Sequence, residues 1–159
     1  VLTMLDPVSY ALAHHRPKGH KLTFNVPDFD YNQAVRHRPY QKEVLKAITN
    51  VNEKEVNIIK SRQLGFSEVG VMGLIYMLDF YSFDAFKVLY AFPTYRAMND
   101  FFKERIKPEF ASGYYQSILD KNNFSSNQMS VRNSTVFFRT GSKAGALEGI
   151  PANMLMLDE

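Results

Sequence analysis

The stretch Val56-Asn57-Ile58-Ile59-Lys60-Ser61-Arg62-Gln63-Leu64-Gly65-Phe66-Ser67-Glu68 constrains the fold more than any other part of the chain. Its apolar start, Val56–Ile59, predicts a short buried strand. Ser61 to Gly65 reads as a turn, and from Ser67 to about Phe80 the mostly apolar sequence predicts a helix. A strand, a short loop and a helix opening on Gly-x-Ser form the context that a phosphate-binding loop requires. Backbone N–H groups at the helix start point at an anion, and the helix dipole adds to the attraction. Gly65 allows close backbone approach, and the Ser67 hydroxyl is placed to bind Mg²⁺ bridging terminal phosphates.

The consensus for such loops is G-x-x-x-x-G-K-[ST]. Here Lys60 stands at the first Gly position and Phe66 at the Lys position. Lys60 has the length to fold back over the loop from the strand end, and Arg62 is a second cation within it. On these residues alone two readings stand side by side: a phosphate loop, or an unliganded strand–turn–helix with a solvated Lys and Arg.

A second signal is Met154-Leu155-Met156-Leu157-Asp158-Glu159, where apolar residues predict a central strand ending in two carboxylates. Ligands of open α/β sheets bind at that edge of the strands. Asp158 would hold Mg²⁺ and Glu159 would orient and polarise an attacking water. Solvated acids at a strand end are the plain alternative. Upstream, Tyr40-Gln41 opens a helix running to about Thr49, with Pro39 suited to its first turn. The Gln41 amide can both donate to and accept from an adenine edge. Tyr40 either stacks on a base or serves the core.

Between these signals Phe86–Phe92 predicts a strand, Tyr95 to Lys107 a helix closed by Pro108, and Gln128–Val131 with Thr135–Arg139 a hairpin around Arg132-Asn133-Ser134. The order of elements predicts an α/β domain with a largely parallel sheet flanked by helices. Residues 1–36 carry no clear period and read as an N-terminal arm of loops and short pieces, with the nucleotide domain over 37–159. His14, His15 and His20 read as solvated loop residues, since no partnered carboxylate accompanies them. Phe101-Phe102, Tyr114-Tyr115 and Phe137-Phe138 read as packing residues.

Composition bounds the function classes. The 159 residues are 45% hydrophobic and 22% charged, which suits a globular domain and excludes collagen, coiled coil and wholesale disorder. With no cysteine, disulfides, Cys zinc sites and thiol catalysis are excluded. A net charge of +3 is too small for a histone-like protein but permits a local nucleic-acid face. No uninterrupted apolar run approaches the ~20 residues needed to span a bilayer, so no membrane partner is expected. The first residue is Val and the last strand runs straight into its acids, so the sequence reads as part of a longer protein.

Taken in order, Arg38-Pro39-Tyr40-Gln41, Lys60 to Glu68, Ala91-Phe92-Pro93-Thr94 and the apolar strand with Asp158-Glu159 resemble the N-terminal ATPase domain of the large terminase subunit of tailed bacteriophages. The resemblance covers roughly residues 36 to 159. It implies a P-loop NTPase fold of the RecA-like kind, truncated after the Asp-Glu strand. The family has a variant loop with Lys at its start, which Lys60 fits. By resemblance Tyr40 and Gln41 belong to the adenine motif. Lys60, Ser61, Arg62, Gln63, Leu64, Gly65, Phe66 and Ser67 form the phosphate loop, with Arg62 as the loop arginine. Ser67 and Asp158 are the Mg²⁺ partners and Glu159 the catalytic carboxylate. Many members carry Leu-Arg-Gly before the terminal strand, where this chain has Leu147-Glu148-Gly149; Arg139 or Arg105 are the substitutes nearest to hand.

The resemblance implies ATP and Mg²⁺ as cofactors and a motor that moves double-stranded DNA into a procapsid. Its partners would be the portal protein, a small terminase subunit and other copies in a homo-oligomeric ring. Its location would be the host cytoplasm. A helicase-like ATPase, or a degenerate nucleotide-binding assembly domain, is the competing expectation.

Overall fold

The computed structural model describes residues 6–24, 40–60, 64–141, 145 and 147–158. The chain divides into two compact units, residues 1–76 and 77–159, and each is taken by itself.

In the first unit, α1 (Pro7–His14) starts where Asp6 caps it: the carboxylate accepts from the Ser9 N–H at 2.8 Å and the Ser9 hydroxyl at 2.6 Å, with Pro7 in the first turn. Partial burial opposes ionisation of Asp6, but these bonds from Ser9 and the Lys46 charge outweigh it and lower its pKa. A 3₁₀ turn, Pro17–Gly19, follows. α2 spans Tyr40–Ile48, and α3 spans Phe66–Phe80 and crosses the boundary between the units. Val8, Ala11, Leu22 and Phe24 pack with Leu45, Val69 and Met72 in one apolar cluster, flanked by Val44 and Ile48. The described arm residues are therefore part of a core. Gly73 sets how near α2 lies to α3, because a Cβ there would come within 2.7 Å of Ile48 Cδ1.

The predicted strand Val56–Ile59 does not form. Residues 51–60 are exposed throughout, Ile59 fully so, and no strand occurs among the described residues of this unit. A strand is stabilised by cross-strand pairs. Four residues beside the polar run Asn52-Glu53-Lys54-Glu55 hold no such pairing by themselves.

The second unit is built on a five-stranded sheet in the order β2-β3-β4-β1-β5. Its strands are β1 (Lys87–Phe92), β2 (Leu119–Phe124), β3 (Gln128–Val131), β4 (Ser134–Thr140) and β5 (Met154–Leu157). β4, β1 and β5 run parallel, while β3 is antiparallel to both β2 and β4. The sheet is therefore mixed, with its parallel half where the sequence placed the ligand edge. β5 was expected to be central and lies instead at the margin of this sheet, with Leu155 and Leu157 exposed. Asn153 sets its entry: its Oδ1 accepts from Lys87 N–H and its own N–H donates to Lys87 O, both at 2.8 Å.

Thr94 caps α4 (Tyr95–Phe101) by accepting from Ala97 N–H at 3.1 Å. The helix continues as a π-helical stretch, Phe102–Ile106, into α5 (Lys107–Glu109), so Pro108 sits inside the last turn. The sequence pattern missed α6 (Gly113–Ile118) and β2, which occupy what reads as loop. Leu-Asp-Lys-Asn-Asn-Phe has little β-propensity, and backbone pairing to β3 overrides it. The aromatic residues do pack: Phe101 lies 5.1 Å from Tyr90 and 5.0 Å from Phe92 between ring centroids, and Phe102 lies 5.1 Å from Phe124.

Candidate functional site

α3 begins at the glycine of the loop. Gly65 has φ 74°, and its carbonyl accepts the first helical bonds, from Glu68 N–H at 3.1 Å and Val69 N–H at 3.2 Å. The N–H groups that open an α-helix have no intrahelical acceptor, so the turn presents Phe66 and Ser67 backbone donors where an anion would sit. Ser67 is half-buried on that first turn. Lys60 is exposed at the near end of the loop. Ser61, Arg62 and Gln63 lie outside the described residues.

Tyr40 and Gln41 meet the loop directly. Gln41 is buried, and its Nε2 donates to the Leu64 carbonyl at 2.8 Å. The Tyr40 hydroxyl donates to the same carbonyl at 3.3 Å, and its ring stacks on Phe66 at 5.9 Å between centroids. A Cβ on Gly65 would lie 2.7 Å from Gln41 Nε2. Thus α2 touches Leu64, Gly65 and Phe66 in succession. The sequence marked Tyr40 and Gln41 as neighbours of a nucleotide; it did not reveal this contact with the loop backbone.

A second contact was also missed. His15 was expected to be solvated, but it is fully buried and its Nε2 lies 2.8 Å from Glu68 Oε1. Burial of an imidazole is tolerated because a carboxylate faces it. Glu68 directly follows Ser67, so this pair ties the arm to the first turn of α3. No periodicity could have found it, because the partners lie 53 positions apart.

In the second unit Asp158 follows β5, at the carboxyl ends of the three parallel strands, and its N–H donates to Ala91 O at 3.0 Å. Burial and then the Asp158 charge push the Tyr90 phenol above its usual range, which places that carboxylate's field at the end of β1. Glu159 lies outside the described residues. Arg139 is anchored beside this edge: its Nη1 donates to Asn127 O and Phe138 O, each at 2.8 Å. It borders an open depression of about 300 Å³ with Tyr95, Met98 and Thr140.

The residues fit the chemistry of a nucleotide with its metal in kind. A serine hydroxyl and an aspartate carboxylate are the hard oxygen donors that Mg²⁺ takes, and a helix start with a glycine turn takes phosphate. A family model described as phage terminase large subunit gpA, ATPase domain, matches residues 32–159. The chain belongs to that family. Tyr40-Gln41, the loop from Lys60 to Ser67 and the Asp158-Glu159 pair all fall within the match. Membership supports a role in phage DNA packaging and, for an ATPase domain, nucleotide use and ATP hydrolysis. No curated protein matches the chain. No helix among the described residues is long and apolar enough to cross a membrane.

Proposed function

We propose that this chain is the ATP-hydrolysing part of a viral DNA-packaging motor, coupling hydrolysis to movement of double-stranded DNA into a procapsid. The observation that carries the reading is the left-handed turn at Gly65 into α3, in a chain whose family is a terminase ATPase domain. In this reading the loop backbone and Lys60 hold the β- and γ-phosphates. Arg62 faces charge that develops in the transition state. Ser67 and Asp158 supply oxygen ligands to Mg²⁺, which when bound neutralises charge on the terminal phosphates.

Glu159 aligns a water with the γ-phosphorus. The water oxygen forms the new P–O bond as the bond to the bridging oxygen breaks. ADP leaves with that electron pair, and the water's proton passes to Glu159 or to solvent. The portal protein, a small terminase subunit, a ring of further copies and the host cytoplasm complete the proposed setting. An arginine completing the site is worth about 10³–10⁵ in rate in related NTPases, so supply by a neighbouring subunit would leave an isolated copy slow.

The test is steady-state ATP hydrolysis by the full-length protein with double-stranded DNA present. Lys60→Ala and Glu159→Gln should each lower kcat by about 100-fold or more, as expected when transition-state contacts are removed. Unchanged turnover in both variants refutes the reading.

A further inference from the structure

We infer that His15 is a positioning residue for phosphate binding: it holds the Glu68 carboxylate to the arm and so keeps it off the N–H groups that open α3. This rests on the phosphate-loop reading above. It adds to that reading a residue lying ahead of residues 32–159, the part of the chain that the family model matches.

Glu68 is the third residue of α3 and the acid of its first turn. A carboxylate in that turn is drawn to the positive end of the helix. From the third position it can turn back on the donors at the helix start. A phosphate needs those same donors. The chain therefore carries, one residue after Ser67, an anion able to compete with its own ligand. Glu68 Oε1 lies 2.8 Å from His15 Nε2, in a pair whose side chains are 7% and 0% exposed respectively. So little water reaches this carboxylate that the imidazole facing it holds it in place.

His15 is itself fixed. It closes α1, its N–H donates to Ala11 O at 2.9 Å, and its carbonyl accepts from Arg16 Nη1 at 2.7 Å. Ala11 shares an apolar cluster with Val69, the residue after Glu68. The arm thus meets the first turn of α3 twice. The apolar contact packs the arm with the helix but cannot direct a carboxylate; the His15–Glu68 bond does that.

The experiment titrates the full-length protein with inorganic tripolyphosphate in a calorimeter, with urea unfolding to give the folded fraction of each variant. His15→Leu frees the carboxylate, and His15→Gln keeps a donor facing it. Glu68→Met removes the competing anion at similar length, and the double variant His15→Leu/Glu68→Met replaces the buried pair by apolar groups. The expected result is an affinity about tenfold weaker in His15→Leu, the scale of a carboxylate acting at a helix start. His15→Gln, Glu68→Met and the double variant should each stay within about twofold of wild type.

Restored binding in the double variant is the outcome that a merely structural pair does not give. Folded His15→Leu with wild-type affinity would overturn the inference. So would a double variant as weak as His15→Leu, since the pair would then be needed for its own sake. Glu68→Met tests the inference even where His15→Leu does not fold: weaker binding would show that Glu68 helps the anion rather than competing with it, and would overturn it. Wild-type protein that does not bind tripolyphosphate would overturn the underlying phosphate-loop reading, and the inference with it.

Discussion

Gly65 and Arg132 both turn the chain with a positive φ, 74° and 51°, and each is fixed by a buried polar side chain from another element. At Gly65 the fixing group is the Gln41 amide, which bonds the preceding carbonyl. At Arg132, between β3 and β4, the residue's own side chain is held. Its Nε donates to Asp79 Oδ1 at 2.6 Å, the Tyr114 hydroxyl donates to Asp79 Oδ2 at 2.8 Å, and Arg132 Nη2 donates to the Tyr114 oxygen at 3.3 Å. Burial and the Asp79 bond raise the Tyr114 phenol, and the Asp79 bond raises Arg132. A left-handed non-glycine residue costs about 1–2 kcal/mol, and the ion pair offsets it. The difference is one of purpose. The Arg132 turn spends its side chain on the fold, whereas the Gly65 turn has no side chain and its carbonyl opens α3. Positive φ alone does not mark a binding loop; what the bracing group holds does.

The largest effect that would test this contrast is at Asp79. Its side chain is fully buried, whereas that of Arg132 is 45% exposed, so loss of the acid leaves a cation that can reach water. Asp79→Ala should therefore destabilise the fold by about 2–3 kcal/mol in urea unfolding, below the 3–5 of a fully buried pair. Triphosphate affinity of the folded fraction should not change. A parallel fall in affinity would erase the distinction between the two turns.

Gly65→Ala should have the smaller effect on stability, about 1–2 kcal/mol, from the left-handed backbone and the crowded Gln41 amide. It should nonetheless abolish measurable tripolyphosphate binding. Stability loss without binding loss would make Gly65 a purely structural turn like Arg132.

What could be read from the sequence divides along physical lines. The β3–β4 hairpin and β1 were legible because alternating or continuous apolar residues match the period of a strand. α3 was legible because apolar residues fill a helical length after Gly-x-Ser. β2 was not, since Asp120, Lys121, Asn122 and Asn123 have little β-propensity and the strand is held by pairing to β3 at Leu119 and Phe124 and by side-chain bonds of Asn123 with Gln128 and Ser130. Val56–Ile59 shows the converse: residues suited to a strand form none, and no strand partner for them occurs among the described residues. In the site, Tyr40, Gln41, Gly65 and Ser67 could be named from motif spacing. The bond from Gln41 to the Leu64 carbonyl and the His15–Glu68 pair could not, because both depend on partners brought from distant sequence by packing.

The central claim is the proposed one, that the helix start at Gly65 binds phosphate. Its most direct test is the ¹H–¹⁵N spectrum of the full-length protein with glycine-selective labelling, titrated with tripolyphosphate. The account predicts a saturable downfield shift of the Gly65 amide proton. A Gly65 resonance that stays in place while tripolyphosphate saturates the protein would contradict it.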